Sequence, residues 1–370
     1  MQACTPAPAT GVTVVAEPLA APPPRRSLRA LRTVIVSDLH VGSRQRLDLL
    51  MRPAIRERLL DAITGADELV LLGDALELRD LPLARVLLRA EPLLSALGAA
   101  LRGGRIVLVA GNHDHQLAAP VLRGCGALGL GRAAPARGGA AGAVAAGLGH
   151  ADVVVSYPGY WIRPDVWATH GHYMDVHTAA ATFECVAAAA MQGVRLNRQA
   201  PGCAEDYERA LVPLYRLFYA IAQRPRMTTA AGAAKRLLRV LERRTTAAQS
   251  TTTTTPDGAR VAGLMARLGG PTARTGRWQG ETRRPGIGPM IEVLRTLGVD
   301  AAHVVFGHTH HALQVAAPSA TRSQLTSTGS WVLEAGRGAL DAGHLPGVVT
   351  IVDGDGPPRV ERILEDRDFA

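Results

Sequence analysis

Five clusters of polar residues in this sequence could do chemistry, and each of them follows a short apolar run. The most distinctive is Gly111-Asn112-His113-Asp114, which ends the strand-like run at 105–110. The other four are Asp38-Leu39-His40, Gly73-Asp74, His170-Gly171-His172 and Gly307-His308-Thr309-His310. Loops that follow neighbouring strands of an α/β fold meet at one edge of its sheet. We therefore expect the five clusters to converge on one site.

The side chains of these clusters form a metal-ligand set. Carboxylate, imidazole and amide oxygen together form a borderline ligand set that suits Zn, Fe, Mn or Co, and it is not a soft thiolate set. Residues i and i+2 of an extended segment point to the same side, so neighbouring members of one cluster can address one ion. The candidate ligands are Asp38, His40, Asp74, Asn112, His170, His308 and His310. Seven ligands exceed the roughly four that one zinc takes and fit two ions about 3.5–4 Å apart.

A centre with two metal ions predicts hydrolysis of a phosphate ester. Two divalent ions bring about four positive charges, and two carboxylates with a bridging hydroxide leave the pocket positive. The ions lower the pKa of bound water towards about 7, so the bridging hydroxide can attack phosphorus. The leaving group then needs a proton, which we predict that His113 supplies while Asp114 orients its ring. His172 and His311 follow ligands closely and are predicted either to support the ligands from behind or to face the substrate.

The order of these motifs resembles that of the calcineurin-like metallophosphoesterase superfamily over residues 33–332, apart from an insertion. The resemblance implies a four-layer α/β/β/α sandwich with the site at the strand ends. It also implies how the ligands divide between the ions. Asp38, His40 and His310 would hold the first metal, Asn112, His170 and His308 would hold the second, and Asp74 would bridge them.

An insertion between His170 and His308, followed by Thr328-Gly329-Ser330-Trp331, is similar to that of the UDP-2,3-diacylglucosamine hydrolases. In that branch the insertion forms a lid over acyl chains, and the branch carries Arg where this chain has His113. We expect a phosphorylated small-molecule or lipid-linked substrate with a phosphodiester or pyrophosphate bond.

The elements that must position the clusters follow the pattern of a parallel βαβ sheet. Strands are predicted at 33–37, 68–72, 105–109, 153–156, 166–169 and 303–306. Helical spacing is found at 47–63, 81–101, 179–192, 206–222, 230–243 and 288–297. Residues 124–149 are rich in Gly and Ala without periodicity, so we expect a flexible surface excursion there.

Length and composition permit a sizeable core. The chain has 370 residues, of which 47% are hydrophobic and 20% charged, and this balance excludes global disorder. Residues 1–30 are rich in Pro and Ala and are predicted to be a disordered leader. Residues 31–370 are predicted to form the metallophosphoesterase domain, and residues 177–286, rich in Ala and Arg, a helical insertion or cap within it.

The net charge of +9 is concentrated between residues 201 and 295, which hold 16 basic and 7 acidic residues. Such a segment suits an anionic partner, although a general preference for Arg over Lys explains it equally well. The basic amphipathic pattern at 230–243 permits peripheral membrane contact, and nucleic acid is a less favoured partner. No apolar run reaches the about 18 residues of a transmembrane span. The four scattered cysteines predict a reducing compartment, the cytoplasm.

Three alternative functions stay open. A phosphomonoesterase needs a small pocket for a terminal phosphate, whereas a diesterase needs a groove with room on both sides of the phosphorus, and the sequence does not distinguish them. A nuclease of the same superfamily is supported only by the basic insertion. A non-catalytic binding protein that kept the fold would be expected to lack ligands or the acid, and this chain lacks none of them.

Overall fold

The computed structural model describes residues 31–43, 48–101, 103–124, 127–149, 152–178, 200–224, 284–316, 322–333 and 345–369. The predicted leader at 1–30 lies outside the described residues, as do the helices predicted at 179–192 and 230–243. The bounds of the insertion, 177–286, therefore stay a prediction.

Two β-sheets hold the strands of the described residues. The strands are β1 Arg32–Val36, β2 Glu68–Leu72, β3 Arg105–Val109, β4 Arg132–Pro135, β5 Val153–Tyr157, β6 Gly159–Arg163, β7 Val166–Thr169, β8 His303–Phe306, β9 Ala312–Val315, β10 Gln324–Thr328, β11 Val348–Asp353 and β12 Arg359–Arg362. The first sheet has the order β12-β11-β1-β2-β3-β5-β4 and the second the order β6-β7-β8-β10-β9. The six strands predicted above are confirmed. The alternating patterns at 348–352 and 360–364 suggest further strands of a second sheet, and this placement is wrong, because β11 pairs with β1 and β12 pairs with β11 in the first sheet.

Parallel pairing brings the carboxyl ends of the central strands together. In the first sheet β1, β2, β3 and β5 are parallel neighbours, with Val36 opposite Leu71 and Leu72 opposite Val109. In the second sheet β7 and β8 are parallel, with Thr169 opposite Phe306. Each of the strands β1, β2 and β3 has four buried residues out of five, as expected of parallel strands covered on both faces.

Helices pack against the sheets through separate apolar cores. They are α1 Pro53–Ile63, α2 Leu83–Ala100, α3 Ala119–Leu122, α4 Gly139–Leu148, α5 Ala204–Gln223 and α6 Ile287–Leu297. One core joins α1, α2 and α4 to the first sheet, another joins α5 and α6 to the second sheet, and a third contains residues of both sheets. The predicted α/β class is confirmed, and the four-layer stacking stays an interpretation of these cores. None of the helices in the described ranges is long and apolar enough to span a membrane.

The flexible excursion expected at 124–149 is wrong for most of that segment, which contains β4 and α4. A glycine of α2 allows α4 to approach closely, because a Cβ atom on Gly98 would lie 1.7 Å from the carbonyl oxygen of Leu148. A helix of Gly and Ala shows little apolar periodicity, so the sequence pattern did not reveal it.

Candidate metal centre

The loops after β1, β2, β3, β7 and β8 bring the predicted ligands to one edge of the molecule. Within the part of the chain that the structure describes, three groups of side chains have potential ligand atoms within 4.8 Å of one another. They are Asp38 with His40 and His310, Asp74 with His170 and His308, and His40 with Asp74 and His113. The first group equals the set expected for the first metal. The second combines the expected bridging carboxylate with two ligands expected for the second metal.

The first group surrounds a carboxylate oxygen that lacks a hydrogen bond. Asp38 is fully buried, and its Oδ1 has no hydrogen-bond partner among the described residues. This atom lies 3.4 Å from Nε2 of His310 and 3.9 Å from Nε2 of His40, and the two ring nitrogens are 3.3 Å apart. A buried, unpaired carboxylate oxygen is costly. A cation among these three atoms removes that cost, so the residues fit a metal ion.

The second group is completed by an amide oxygen. Oδ1 of Asn112 lies 3.2 Å from Nε2 of His170 and 3.1 Å from Oδ2 of Asp74. Oδ2 of Asp74 is also 3.4 Å from Nε2 of His170 and 3.7 Å from Nε2 of His40. In this orientation the amide oxygen faces two other atoms that can offer lone pairs, as ligands of a cation do. Because Oδ2 of Asp74 lies between the two groups, it has the position that a bridging ligand requires.

Hydrogen bonds outside the site decide which nitrogen each imidazole turns inwards. Nδ1 of His170 lies 3.1 Å from the carbonyl oxygen that ends β2, and Nδ1 of His40 lies 3.2 Å from a carboxylate oxygen of Glu77. Both nitrogens therefore donate, so Nε2 is the nitrogen that faces the site and can bind a metal once it has lost its proton. His308 is reversed, because its Nε2 lies 2.7 Å from Oδ1 of Asp175 and Nδ1 is left for an ion.

The backbone of the site is strained at the ligands. The non-glycine residues of the described chain with positive φ are Asp38 (54°), His40 (44°), Asp74 (51°), His308 (69°) and His310 (58°). A left-handed conformation costs about 1–2 kcal/mol at a residue with a side chain. All five are predicted metal ligands, and strain that collects at one set of residues is typical of functional sites.

Two glycines let the loops approach each other. A Cβ atom on Gly111 would lie 2.2 Å from Oδ1 of Asp74, and one on Gly307 would lie 2.6 Å from Oδ2 of Asp38. Across the second sheet, the N–H of Gly307 donates to the carbonyl oxygen of His170 at 3.0 Å. The glycines of the motifs therefore serve close packing of the ligand loops, and a larger residue would displace a carboxylate.

The predicted role of Asp114 needs correction. Its carboxylate accepts hydrogen bonds from the backbone N–H groups of Gly111 (2.8 Å), Leu76 (3.2 Å) and Asp74 (3.3 Å). Asp114 immediately precedes a 3₁₀ helix, His115–Ala118, and its side chain turns back beneath the loop instead of towards the His113 ring. It therefore fixes the loop that carries Asn112 and His113.

Glu77 contacts the His113 ring in place of Asp114. Oε2 of Glu77 lies 2.7 Å from Nδ1 of His113 and 3.2 Å from Nδ1 of His40. The sequence motifs do not single out Glu77. The available signal was its position three residues after Asp74, in the same loop.

The two histidines predicted to face the substrate differ in position. His172 is 1% exposed, and its Nε2 lies 2.9 Å from the hydroxyl of Tyr157, so the prediction that it meets the substrate is wrong in this structure. His172 does not reach the substrate side because it is buried next to the His170 ring, with 5.5 Å between the ring centroids. His311 is partly exposed, and its Nδ1 lies 2.6 Å from the carbonyl oxygen of Thr309. Its contact with substrate stays a prediction.

Charges within the site shift the pKa values of its groups. Burial opposes ionisation of Asp38, but the nearby imidazoles of His310 and His170 outweigh it and lower the pKa to about 2. Burial likewise opposes the charge of His170, but Asp74 outweighs it and raises that pKa to about 9. The pKa of Asp114 rises to about 6 because of burial and the charge of Asp74. A metal ion must therefore displace a proton from His170.

One side of the site is open to solvent. The side chains of His308, His310 and His113 are 18%, 20% and 24% exposed, whereas those of Asp38 and His170 are fully buried. A substrate would therefore approach from the side on which His113 lies.

Comparison with known proteins agrees with the motifs. Residues 31–193 match the family model of the calcineurin-like phosphoesterases, which confirms the resemblance. The narrower similarity to UDP-2,3-diacylglucosamine hydrolases stays a prediction. The matched range contains five predicted ligands, and the fold adds His308 and His310 from outside it. No curated protein matches the chain.

Two solved structures are similar at low identity. One is a dimetal phosphatase from Danio rerio, with 10% identity, a TM-score of 0.32 and coverage of 90% of this chain and 99% of that chain. The other is a cold-active protein-tyrosine phosphatase of a psychrophilic Shewanella species, with 13% identity, a TM-score of 0.27 and coverage of 89% and 80%. At these TM-scores neither alignment carries an argument.

Proposed function

We propose that this chain hydrolyses phosphate esters with two divalent metal ions. Its residues 31–193 match the family model of the calcineurin-like phosphoesterases. One observation carries the proposal. Oδ1 of Asp38 is buried without a hydrogen bond among the described residues. Oδ2 of Asp74 lies near His40, which is close to this Asp38 oxygen, and also near His170. The arrangement supports two cation positions that share the Asp74 carboxylate.

The proposed ligands follow from these distances. Asp38, His40 and His310 would hold one ion, Asn112, His170 and His308 the other, and Asp74 would bridge them. The oxygen and nitrogen donors suit Mn, Fe, Zn or Co. When bound, two such ions supply an acidified water as nucleophile and a clamp on the phosphoryl oxygens.

The chain itself supplies the proton for the leaving group. His113 is partly exposed on the open side of the site, where its Nε2 can reach an oxygen of the substrate. Glu77 accepts the hydrogen bond from Nδ1 at 2.7 Å, which fixes the orientation of the ring. We assign the general acid to His113 and its orientation to Glu77.

The substrate class follows from the same site. A net positive pocket that opens on one side suits a phosphorylated small molecule or a lipid-linked phosphate, with a phosphodiester or pyrophosphate bond. The basic segment that would favour nucleic acid or a membrane surface lies largely outside the described residues.

The test is hydrolysis of p-nitrophenyl phosphate and bis-p-nitrophenyl phosphate by apo protein reloaded with Mn, with Asp74→Ala as control. We expect the parent protein to hydrolyse the diester, and we expect Asp74→Ala to lose both this activity and its bound metal. Turnover of the monoester alone would indicate a phosphatase instead. Absence of turnover together with absence of bound metal would overturn the proposal and favour a binding protein.

A further inference from the structure

Arg79 lies at the open side of the metal centre, in the loop that also carries Asp74 and Glu77. Its Nη1 is 3.2 Å from Nε2 of His113. It is also 3.2 Å from the amide nitrogen of Asn112, whose oxygen faces the ligand group. Its backbone N–H donates to Oε1 of Glu77 at 3.1 Å. The guanidinium is thus next to the proposed acid and to a proposed metal ligand.

An aromatic ring from helix α5 covers this guanidinium. Cζ of Arg79 lies 4.0 Å from the centroid of the Phe218 ring, and Phe218 is itself 4% exposed. A cation over a ring face is attracted by the ring quadrupole, most strongly where water is excluded. Helix α5 belongs to the segment between His170 and His308 that the sequence predicts to be an insertion, so this segment reaches the metal centre through Phe218.

Buried hydrogen bonds hold α5 in place at its first turns. Oε1 of Glu208 accepts from the hydroxyls of Tyr157 (2.6 Å) and Tyr173 (2.7 Å), and Oε2 lies 2.9 Å from Nε2 of His115. A buried carboxylate with three partners is costly to pull out, because each partner would be left unsatisfied.

A second set of contacts holds the ends of the helix. At the carboxyl end, Oε1 of Gln223 accepts from the N–H of Leu83 at 3.2 Å. At the amino end, Oε1 of Glu205 accepts from the N–H of Leu128 at 2.5 Å. Because α5 is anchored at both ends and in between, Phe218 has a fixed position over Arg79.

From these contacts, and on the basis of the proposed function, we propose that Arg79 binds a phosphoryl oxygen of the substrate and that Phe218 is the positioning residue that holds it there. Arginine offers donors in a planar fork that matches a phosphate. The insertion helix thus completes the substrate site of the main domain, in addition to any covering role.

The experiment compares Mn-loaded variants with p-nitrophenyl phosphate esters as substrates and inorganic phosphate as a binding probe. Arg79→Gln should weaken phosphate binding and lower kcat/KM by about 10- to 100-fold. Phe218→Leu keeps an apolar side chain but loses the ring face, and should lower kcat/KM by about fivefold. Phe218→Tyr keeps the ring and should stay within about twofold of the parent.

The decisive measurement is the double variant. If Phe218 acts through Arg79, then Phe218→Leu has no further effect on phosphate binding or kcat/KM in the Arg79→Gln background. An equal effect in both backgrounds would overturn the positioning role, and unchanged phosphate binding in Arg79→Gln would overturn the binding role. Leu211→Val, two turns earlier on α5, controls for loosening of the helix, and metal content and thermal unfolding confirm that each variant is folded.

Failure of the proposed function gives a different result. Wild-type protein that binds two metals and phosphate but hydrolyses no ester would overturn the phosphoesterase proposal, while phosphate binding would still test Arg79. Wild-type activity that Arg79→Gln leaves unchanged would overturn only the present inference.

Discussion

The carboxylate of Glu77 lies 2.7 Å from Nδ1 of His113. The same oxygen is 3.2 Å from Nδ1 of His40, so one buried carboxylate orients both a proposed ligand and the proposed acid. Burial opposes the charge of Glu77, but the charge of His113 and hydrogen bonds from both imidazoles outweigh it and lower its pKa. In the proposed mechanism, metal binding and proton transfer would therefore be linked through one side chain.

Glu77→Gln should weaken both functions. The amide keeps the shape of the side chain but loses the charge that favours two N–H donors, so we expect a loss of about 10- to 100-fold in metal affinity or kcat. Metal titration and steady-state kinetics measure the two separately. Glu68→Gln is the matched control, because Glu68 is also a largely buried carboxylate that accepts a hydrogen bond, from Tyr160 at 2.7 Å, away from the site. Equal losses in both variants would contradict the role of Glu77.

Asp74→Asn should remove metal and activity together. Oδ2 of Asp74 faces both ligand groups, and an amide there loses the charge that two cations share. Loss of a residue that only supports a ligand typically costs up to about 100-fold, and we expect kcat/KM to fall by more than that. Mass spectrometry measures the metal content. Asp152→Asn, which breaks a surface ion pair with Arg105 at 3.0 Å, should change neither quantity. Full metal content in Asp74→Asn would argue against a bridging carboxylate.

His113→Ala should keep the metals and slow turnover according to the leaving group. Loss of a general acid costs about 10²–10⁴-fold, and a good leaving group needs less protonation. Phenyl phosphate and p-nitrophenyl phosphate form a suitable pair, and the phenyl ester should lose more. The same factor for both substrates would remove His113 from the role of acid.

Metal loading should release protons. The pKa of His170 in the metal-free protein is raised to about 9, so the ring is protonated below that pH and must lose its proton to become a ligand. The apparent affinity for Mn should therefore fall as the pH decreases from 9 towards 6. Calorimetry at pH 7.5 in two buffers of different ionisation enthalpy measures the protons released, and a value of zero would contradict the assignment of His170.

Gly307→Ala should loosen the first metal. A Cβ atom there would lie 2.6 Å from Oδ2 of Asp38 and 2.6 Å from Oγ of Ser37, so the carboxylate must move. We expect weaker metal binding and a lower melting temperature, measured by titration and thermal unfolding. Gly129→Ala is the control, because a Cβ atom at Gly129 meets no heavy atom within 4 Å. Unchanged metal affinity in Gly307→Ala would show that the loop adjusts without moving Asp38.

The sequence by itself determined the strands and the ligand motifs. Parallel strands are buried on both faces, so their apolar runs end where the strand ends and polar residues follow. Such runs precede Asp38, Asp74, Asn112, His170 and His308. The ligand types of those side chains predict a metal centre, and the match to the calcineurin-like phosphoesterase model agrees with that prediction.

Only the tertiary structure decided how the neighbours of those ligands are used. Asp114 is adjacent to His113 in sequence, yet its carboxylate accepts three backbone N–H groups, and Glu77, 36 residues away, contacts the ring instead. His172 looks like a ligand neighbour in sequence but is buried against Tyr157. Such contacts depend on the register between strands and on the direction in which each loop turns, and local sequence patterns carry neither.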